Sequence, residues 1–154
     1  MKGITTDGPT PNYKRDKRSP IPKNATVSKV MSRIKSSNTK PEVAFRKMLS
    51  SNGIRGYRIN YKKLPGKPDI VFTRKKLAIF INGCYWHGCE TCGWKPPKHN
   101  TEYWVSKIQK NKIRDADKRA ALTLLGYTVI VVWEHDLKTK MDRLAEQMIS
   151  TLSS

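Results

Sequence analysis

Apolar positions recur along this chain in two rhythms, and each change of rhythm predicts a change of element. Val27, Val30, Met31 and Ile34 fall at helical spacing and predict a short helix over Val27–Lys35 with one apolar stripe. A second helix is expected from Thr39, a capping residue, with Pro41 in the first turn, Glu42 favoured by the helix dipole and Gly53 at its end. Its inward positions are Val43, Ala44, Phe45, Met48 and Leu49. Three runs then read as short buried strands: Tyr57–Tyr61, Ile70–Thr73 and Leu77–Ile81, the last two parted by a charged turn at Arg74–Lys76. Residues 83–100 break all periodicity with Gly, Cys, Pro and Trp. A long helix opens at Asn100 or Thr101, turns Trp104, Ile108, Ala116, Ala120 and Leu124 inward, and stops at Gly126. Tyr127–Trp133 is the most apolar stretch and predicts a central strand parallel to an earlier one. Leu137, Met141, Leu144, Met148, Ile149 and Leu152 predict one final amphipathic helix. The order αβββαβα describes an α/β domain over residues 27–154, a mixed central sheet flanked by helices, with no internal repeat. Residues 1–26 are rich in Pro, Lys, Arg, Thr and Asn without a period, and read as a basic, disordered arm, either a solvated tail or a DNA contact.

Length agrees with one domain, since 154 residues can hide roughly 70% of the unfolded surface without help from disulfides. Charge changes the picture more. Lysine and arginine number 31 against 12 acidic residues, a formal charge of +19, so a polyanion is the expected partner and nucleic acid the first to test. No apolar run of about 18 residues exists, and charges occupy the N-terminus where a secretory signal needs apolar residues. The chain therefore reads as soluble and cytoplasmic, with no membrane partner.

Three cysteines, Cys84, Cys89 and Cys92, crowd one loop, whereas a secreted disulfide framework would spread an even number along the chain. Three thiolates at this spacing can share one ion, and a structural zinc site needs a fourth ligand. The candidates are His87, His99 and His135. His135 directly follows the predicted central strand, where a ligand would pin the loop to the sheet, and is preferred to His99 in a Pro- and Lys-rich segment. Such a closed site stabilises the fold by ~10 kcal/mol and does no chemistry. The competing reading is three buried or redox-active thiols.

Asp69 stands in Leu64-Pro65-Gly66-Lys67-Pro68-Asp69-Ile70-Val71, where a Pro-Gly turn delivers a carboxylate to the start of a buried strand. Magnesium takes one or two carboxylates, waters and substrate phosphate oxygens, the arrangement phosphodiester hydrolysis requires. The next strand ends at Ile81-Asn82, and a turn leads to His87, whose imidazole can take a proton from water. Glu42 and Asp115 are candidates for holding metal-bound waters. Read singly, Asp69 is equally a strand-start cap, and Glu42 and Asp115 ordinary helix acids.

Taken together, the motifs carry a resemblance. Met31-Ser32-Arg33-Ile34-Lys35-Ser36, Asn38-Thr39-Lys40-Pro41-Glu42, the Asp69 segment through Phe72, and Ile79-Phe80-Ile81-Asn82-Gly83-Cys84-Tyr85-Trp86-His87-Gly88 stand in order. Glu102-Tyr103-Trp104, Lys107-Ile108, Asn111, Arg114-Asp115 and Val132-Trp133-Glu134 follow. Over about residues 27–138 the chain resembles the very-short-patch-repair (Vsr) DNA mismatch endonucleases. The resemblance implies a restriction-endonuclease-like fold that nicks one strand of duplex DNA beside a T:G mismatch. It implies that Asp69 and the main-chain carbonyl of Ile81 bind magnesium, that His87 acts on the water, and that Glu42 and Asp115 belong to the catalytic set. It further implies a structural zinc site at Cys84, Cys89, Cys92 and His135, and a wedge of Tyr85 and Trp86 opposed by Met31 from the other groove. A wedge in the base stack suits mismatch reading, because an unstable step opens cheaply, at about a few kcal/mol. Asn82 departs from the family, where histidine is usual.

Two other functions stay open: restriction-type cleavage on the same fold, and a zinc-stapled DNA-binding module without catalysis. A one-strand nick needs only a monomer, and cooperation with mismatch-repair proteins accords with the implied activity.

Overall fold

The computed structural model describes residues 21–154; residues 1–20 of the expected basic arm lie outside the described residues. The first helix, α1 (Ala25–Ser32), begins inside the segment read as an arm, because Asn24 caps it by accepting the Val27 N–H at 2.9 Å. Its apolar stripe is not buried: Val27, Val30 and Ile34 are exposed, and Ser28 is the residue turned inward. Helical spacing reveals that a stripe exists but not what covers it. Helix α2 (Lys40–Ser51) matches expectation, with Thr39 capping, Pro41 in the first turn, and Phe45, Met48 and Leu49 in the core.

Strands β1 (Arg58–Ile59), β2 (Ile70–Phe72), β3 (Leu77–Asn82) and β4 (Thr128–Trp133) form one sheet in the order β1-β2-β3-β4. The first two pairings are antiparallel, and β3 runs parallel to β4, from Leu77 opposite Thr128 to Asn82 opposite Trp133. Helix α3 (Thr101–Leu124) makes the crossover that a parallel pair demands. The expected parallel partner is thus present, but β4 lies at an edge rather than the centre, and β1 is exposed rather than buried. The single final helix is two, α4 (Glu134–Thr139) and α5 (Met141–Ser153), broken at Lys140. The observed order is therefore ααβββαβαα.

Period-two alternation sorts the strands onto two faces. Ile70, Phe72, Leu77, Ile79, Ile81 and Val132 pack with Phe45, Leu49, Leu144 and Met148 of α2 and α5. Val71 and Ala78 face Leu122 of α3. By the same alternation Asp69 and Asn82 fall on the α3 side. The inward residues of α3 differ from expectation: Ile108 and Leu122 are buried, while Leu124 is 89% exposed. Steps of four residues advance about 40° per step beyond a full turn, so from Trp104 to Leu124 the face swings by about 200°, whereas Leu122 returns to the Trp104 side. Among the described residues no helix is long and apolar enough to cross a membrane.

Candidate active site and metal centre

Where β2 begins, β3 ends and α3 passes over both, a cavity of about 620 Å³ opens. Met31, Glu42, Asp69, Ile81, Asn82, Trp86, His87 and Asp115 all line it, with Lys107 and Lys118 from α3. The Leu64–Pro68 turn aims Asp69 into this space. Gly66 has φ +75°, and a Cβ there would lie 2.7 Å from the Lys118 stem, so both backbone geometry and close approach call for glycine. The Ile81 N–H donates to Asp69 Oδ2 at 2.7 Å, which sets the carboxylate beside the end of β3. Burial pushes Asp69 up from 3.8 to about 6, reinforced by the nearby Glu42 charge and opposed by the Ile81 hydrogen bond and by His87 and Lys118. A carboxylate so placed gains from a cation that restores the solvation it lost.

His87 reaches the cavity from the loop after β3. Gly88, at φ +61°, lets that loop lie on α3, where a Cβ would fall 2.6 Å from Ile108. His87 Nδ1 lies 2.6 Å from Asp115 Oδ2, and the other Asp115 oxygen lies 3.9 Å from Lys118 Nζ. A carboxylate can only accept, so Nδ1 carries the proton and Nε2 is left as the free acceptor. Asn111 donates to the Trp86 carbonyl at 3.1 Å, fixing the preceding residue to the same helix.

Glu42 does a different job. Its Oε2 accepts the Asn38 N–H at 2.8 Å, its Oε1 accepts the Thr39 hydroxyl at 3.0 Å, and Arg46 stands 3.9 Å away. Both oxygens thus close the start of α2, in the manner of a capping box, at the rim of the cavity.

Beside this cavity lies a second cluster. The ligand atoms of Cys84, Cys89, Cys92 and His135 all lie within 4.8 Å of one another. Their sulfurs stand 3.3, 3.6 and 3.4 Å from His135 Nδ1. A tetrahedral zinc ion at ordinary bond lengths sets sulfur and nitrogen about 3.5 Å apart, so the donor set fits such a metal. His135 Nε2 faces Asp136 Oδ1 at 3.4 Å, a carboxylate placed to fix the ring so that Nδ1 points at the sulfurs. His99 is not among the clustered residues.

Tyr85 and Trp86 project from the cysteine loop as part of an aromatic group. Their ring centroids are 5.1 Å apart, Trp104 lies 5.7 Å from Trp86, and Tyr103 lies 5.2 Å from Trp104. Lys107 stands 5.4 Å over the Trp104 ring. Tyr85 is 39% exposed, which a core residue would not be.

A family model described as the DNA mismatch endonuclease Vsr matches residues 20–92. The chain is 34% identical over 126 residues to the DNA mismatch endonuclease Vsr of Escherichia coli, covering 82% of this chain and 80% of that protein. The chain belongs to the Vsr family. It is accordingly a DNA endonuclease, and DNA is its substrate. Similarity extends to the type II nicking enzyme V.NmeAIP of Neisseria meningitidis, 48% identical over 72% of this chain and 79% of that protein. The type II nicking enzyme V.XorIIP of Xanthomonas oryzae is 44% identical over 70% and 79%.

For this Vsr-family chain, the structure brings Met31, Glu42, Asp69, Ile81, Trp86, His87 and Asp115 to one cavity, while Tyr85 is not among the lining residues and packs on Trp86. The four metal-cluster residues gather as expected. Lys118 is absent from the sequence-derived set. Its signal was its place three residues after Asp115, one helical turn along the same face.

Proposed function

We propose that this protein nicks one strand of duplex DNA next to a T:G mismatch, on a restriction-endonuclease-like fold, with magnesium at the cutting site and zinc in the structural one. The observation that carries this reading is that Asp69 and the His87–Asp115 pair line a single cavity, with His87 Nδ1 and Asp115 Oδ2 2.6 Å apart.

Asp69 and the Ile81 carbonyl would hold magnesium, which when bound offsets charge developing on the phosphate and orients the attacking water. Oδ2 of Asp69 is occupied by the Ile81 N–H, so Oδ1 is the oxygen left for a cation. Asp115 holds His87 in one tautomer, leaving Nε2 to accept the proton from water. Glu42 is near enough to raise Asp69 and orders the Asn38–Thr39 segment at the start of α2. Cys84, Cys89, Cys92 and His135 are the zinc ligands. The ion they hold would anchor the loop that presents Tyr85, Trp86 and His87.

Tyr85 and Trp86, with Met31, which shares the cavity lining with Trp86, form the wedge, so that a weakly stacked mismatch opens where a matched step resists. The buried Asn82 stands where many relatives are expected to carry histidine, and supplies a neutral side chain where histidine would contact a phosphate or a metal-bound water. The domain is read as residues 27–154, acting as a monomer in the cytoplasm, with mismatch-repair proteins as partners in the pathway.

The test is a magnesium-dependent nicking assay on T:G and matched duplexes in several sequence contexts, with Asp69→Ala as control. The reading expects nicking of the mismatched strand alone, lost in the variant with binding kept. A second reading, cleavage at a site chosen by sequence rather than by mismatch, is favoured by the relatives named type II nicking enzymes. Equal nicking of matched duplexes would establish it.

A further inference from the structure

A second cavity, of about 580 Å³, lies at the opposite end of the sheet and shares no lining residue with the first. Asp69 stands just before β2, and the second cavity is bordered by Phe72 at the end of that strand, about 10 Å further along at the ordinary rise. Its wall is built by the loop after α2 and by the β2–β3 turn. Gly56, at φ +81°, bends the loop back, and Tyr57 sets its ring edge-on to the buried Phe72 at 5.6 Å. Arg55, Arg74 and Lys75 border this floor, Arg58 borders it while turning its guanidinium to Tyr61 on the α3 face, and no Asp or Glu borders the space. Among the described residues, none of these four cations has a carboxylate within ion-pair distance. The Arg58 guanidinium lies 5.7 Å from the Tyr61 ring, which limits its freedom.

Three like charges, Arg55, Arg74 and Lys75, around one hollow repel each other unless an anion joins them, and a guanidinium fork matches phosphate in pairs of hydrogen bonds. We infer that this cavity is a second phosphate-binding site, taking a stretch of DNA backbone that the cutting cavity does not hold. The volume exceeds what one small anion fills, and the established substrate supplies phosphates in series. The site does not depend on which residues cut the strand. The same phosphates can come from the flank of the nicked duplex, from a separate duplex, or from free phosphate.

The experiment compares the full chain with Arg55→Gln/Arg74→Gln, both substitutions being of exposed side chains. Binding to 12-base-pair and 40-base-pair mismatched duplexes is followed by fluorescence anisotropy across salt concentrations. Each lost phosphate contact lowers the slope of log K against log salt by about 0.9. The expected result is a slope smaller by about 2 on the 40-mer and unchanged on the 12-mer, with nicking of the 12-mer intact. Capture of a second duplex by protein saturated with the 12-mer assigns the site to a separate segment; slope loss without capture assigns it to the flank. Arg55→Lys/Arg74→Lys keeps the charge, and its slope should stay near that of the unaltered chain. Equal slopes on the 40-mer for the unaltered and Gln proteins would overturn the inference, as would equal losses on both lengths without capture of a second duplex. Binding of inorganic phosphate alone, without DNA dependence, would overturn the assignment to DNA backbone.

Discussion

Replacing Asp69 with Asn should make the protein more stable while stopping it from cutting. Asn retains an oxygen for the Ile81 N–H and deletes the charge that burial makes costly. Below pH 3.8 the carboxyl is neutral in both folded and unfolded chains, and the charge makes no difference. Between 3.8 and about 6 the unfolded chain ionises first, so the unaltered protein loses stability as pH rises; above about 6 the loss is complete. A rise from 3.8 to about 6 corresponds to about 3 kcal/mol, roughly half of it present at pH 5. Water enters the cavity mouth, which makes this a ceiling, and about 1–3 kcal/mol is expected at pH 8. Urea unfolding followed by tryptophan fluorescence, with zinc retained and magnesium left out, should show a midpoint for Asp69→Asn higher by about 1 M at pH 8 and by less at pH 5. Millimolar magnesium should then raise the stability of the unaltered protein and leave the variant where it was. A stability difference independent of pH, or a variant no more stable at pH 8, would refute the account of Asp69 as a carboxylate held under strain of burial.

Substituting His87 with Ala should slow nicking by about 10²–10⁴-fold with DNA affinity and zinc content unchanged; stoichiometric loss of zinc by elemental analysis would mean that His87 is the ligand. Asp115→Asn should also lower the turnover rate rather than affinity, because the Nδ1 proton of His87 then faces a neutral amide, which removes the charge that favours the imidazolium and no longer fixes the tautomer; an unaltered rate would detach Asp115 from the proton transfer. Trp86→Ala should cut the preference for mismatched over matched duplex about tenfold or more, read from paired rates, and an unchanged ratio would remove the wedge. Cys89→Ser, at the buried member of the metal cluster, should release zinc and lose cooperative unfolding, with a cost on the order of several kcal/mol in circular dichroism melts; full stability without metal would contradict a structural ion.

The motifs were legible wherever a local rule fixes a position. Thr39, Pro41 and Glu42 mark a helix start by chemistry that needs no tertiary context, and the cysteine spacing leaves few partners, of which His135 is the one that joins. What was hidden depends on neighbours. A strand as apolar as Thr128–Trp133 reads the same at the centre of a sheet as at an edge shielded by helices. The apolar period runs on from Leu137 through Met141, so the break at Lys140 leaves no trace in the pattern. Glu42 looks like a first-turn acid in the sequence, and only folding shows both its oxygens engaged.

Nine residues, Cys84 to Cys92, carry three of the four metal-cluster ligands, both aromatics proposed to part the bases and the histidine proposed to take the proton. On those proposed roles, base reading and cutting would ride on one cassette. With those roles, this loop would be exchanged between relatives as a unit, and an oxidant that couples two of its sulfurs is expected to lower discrimination and hydrolysis together.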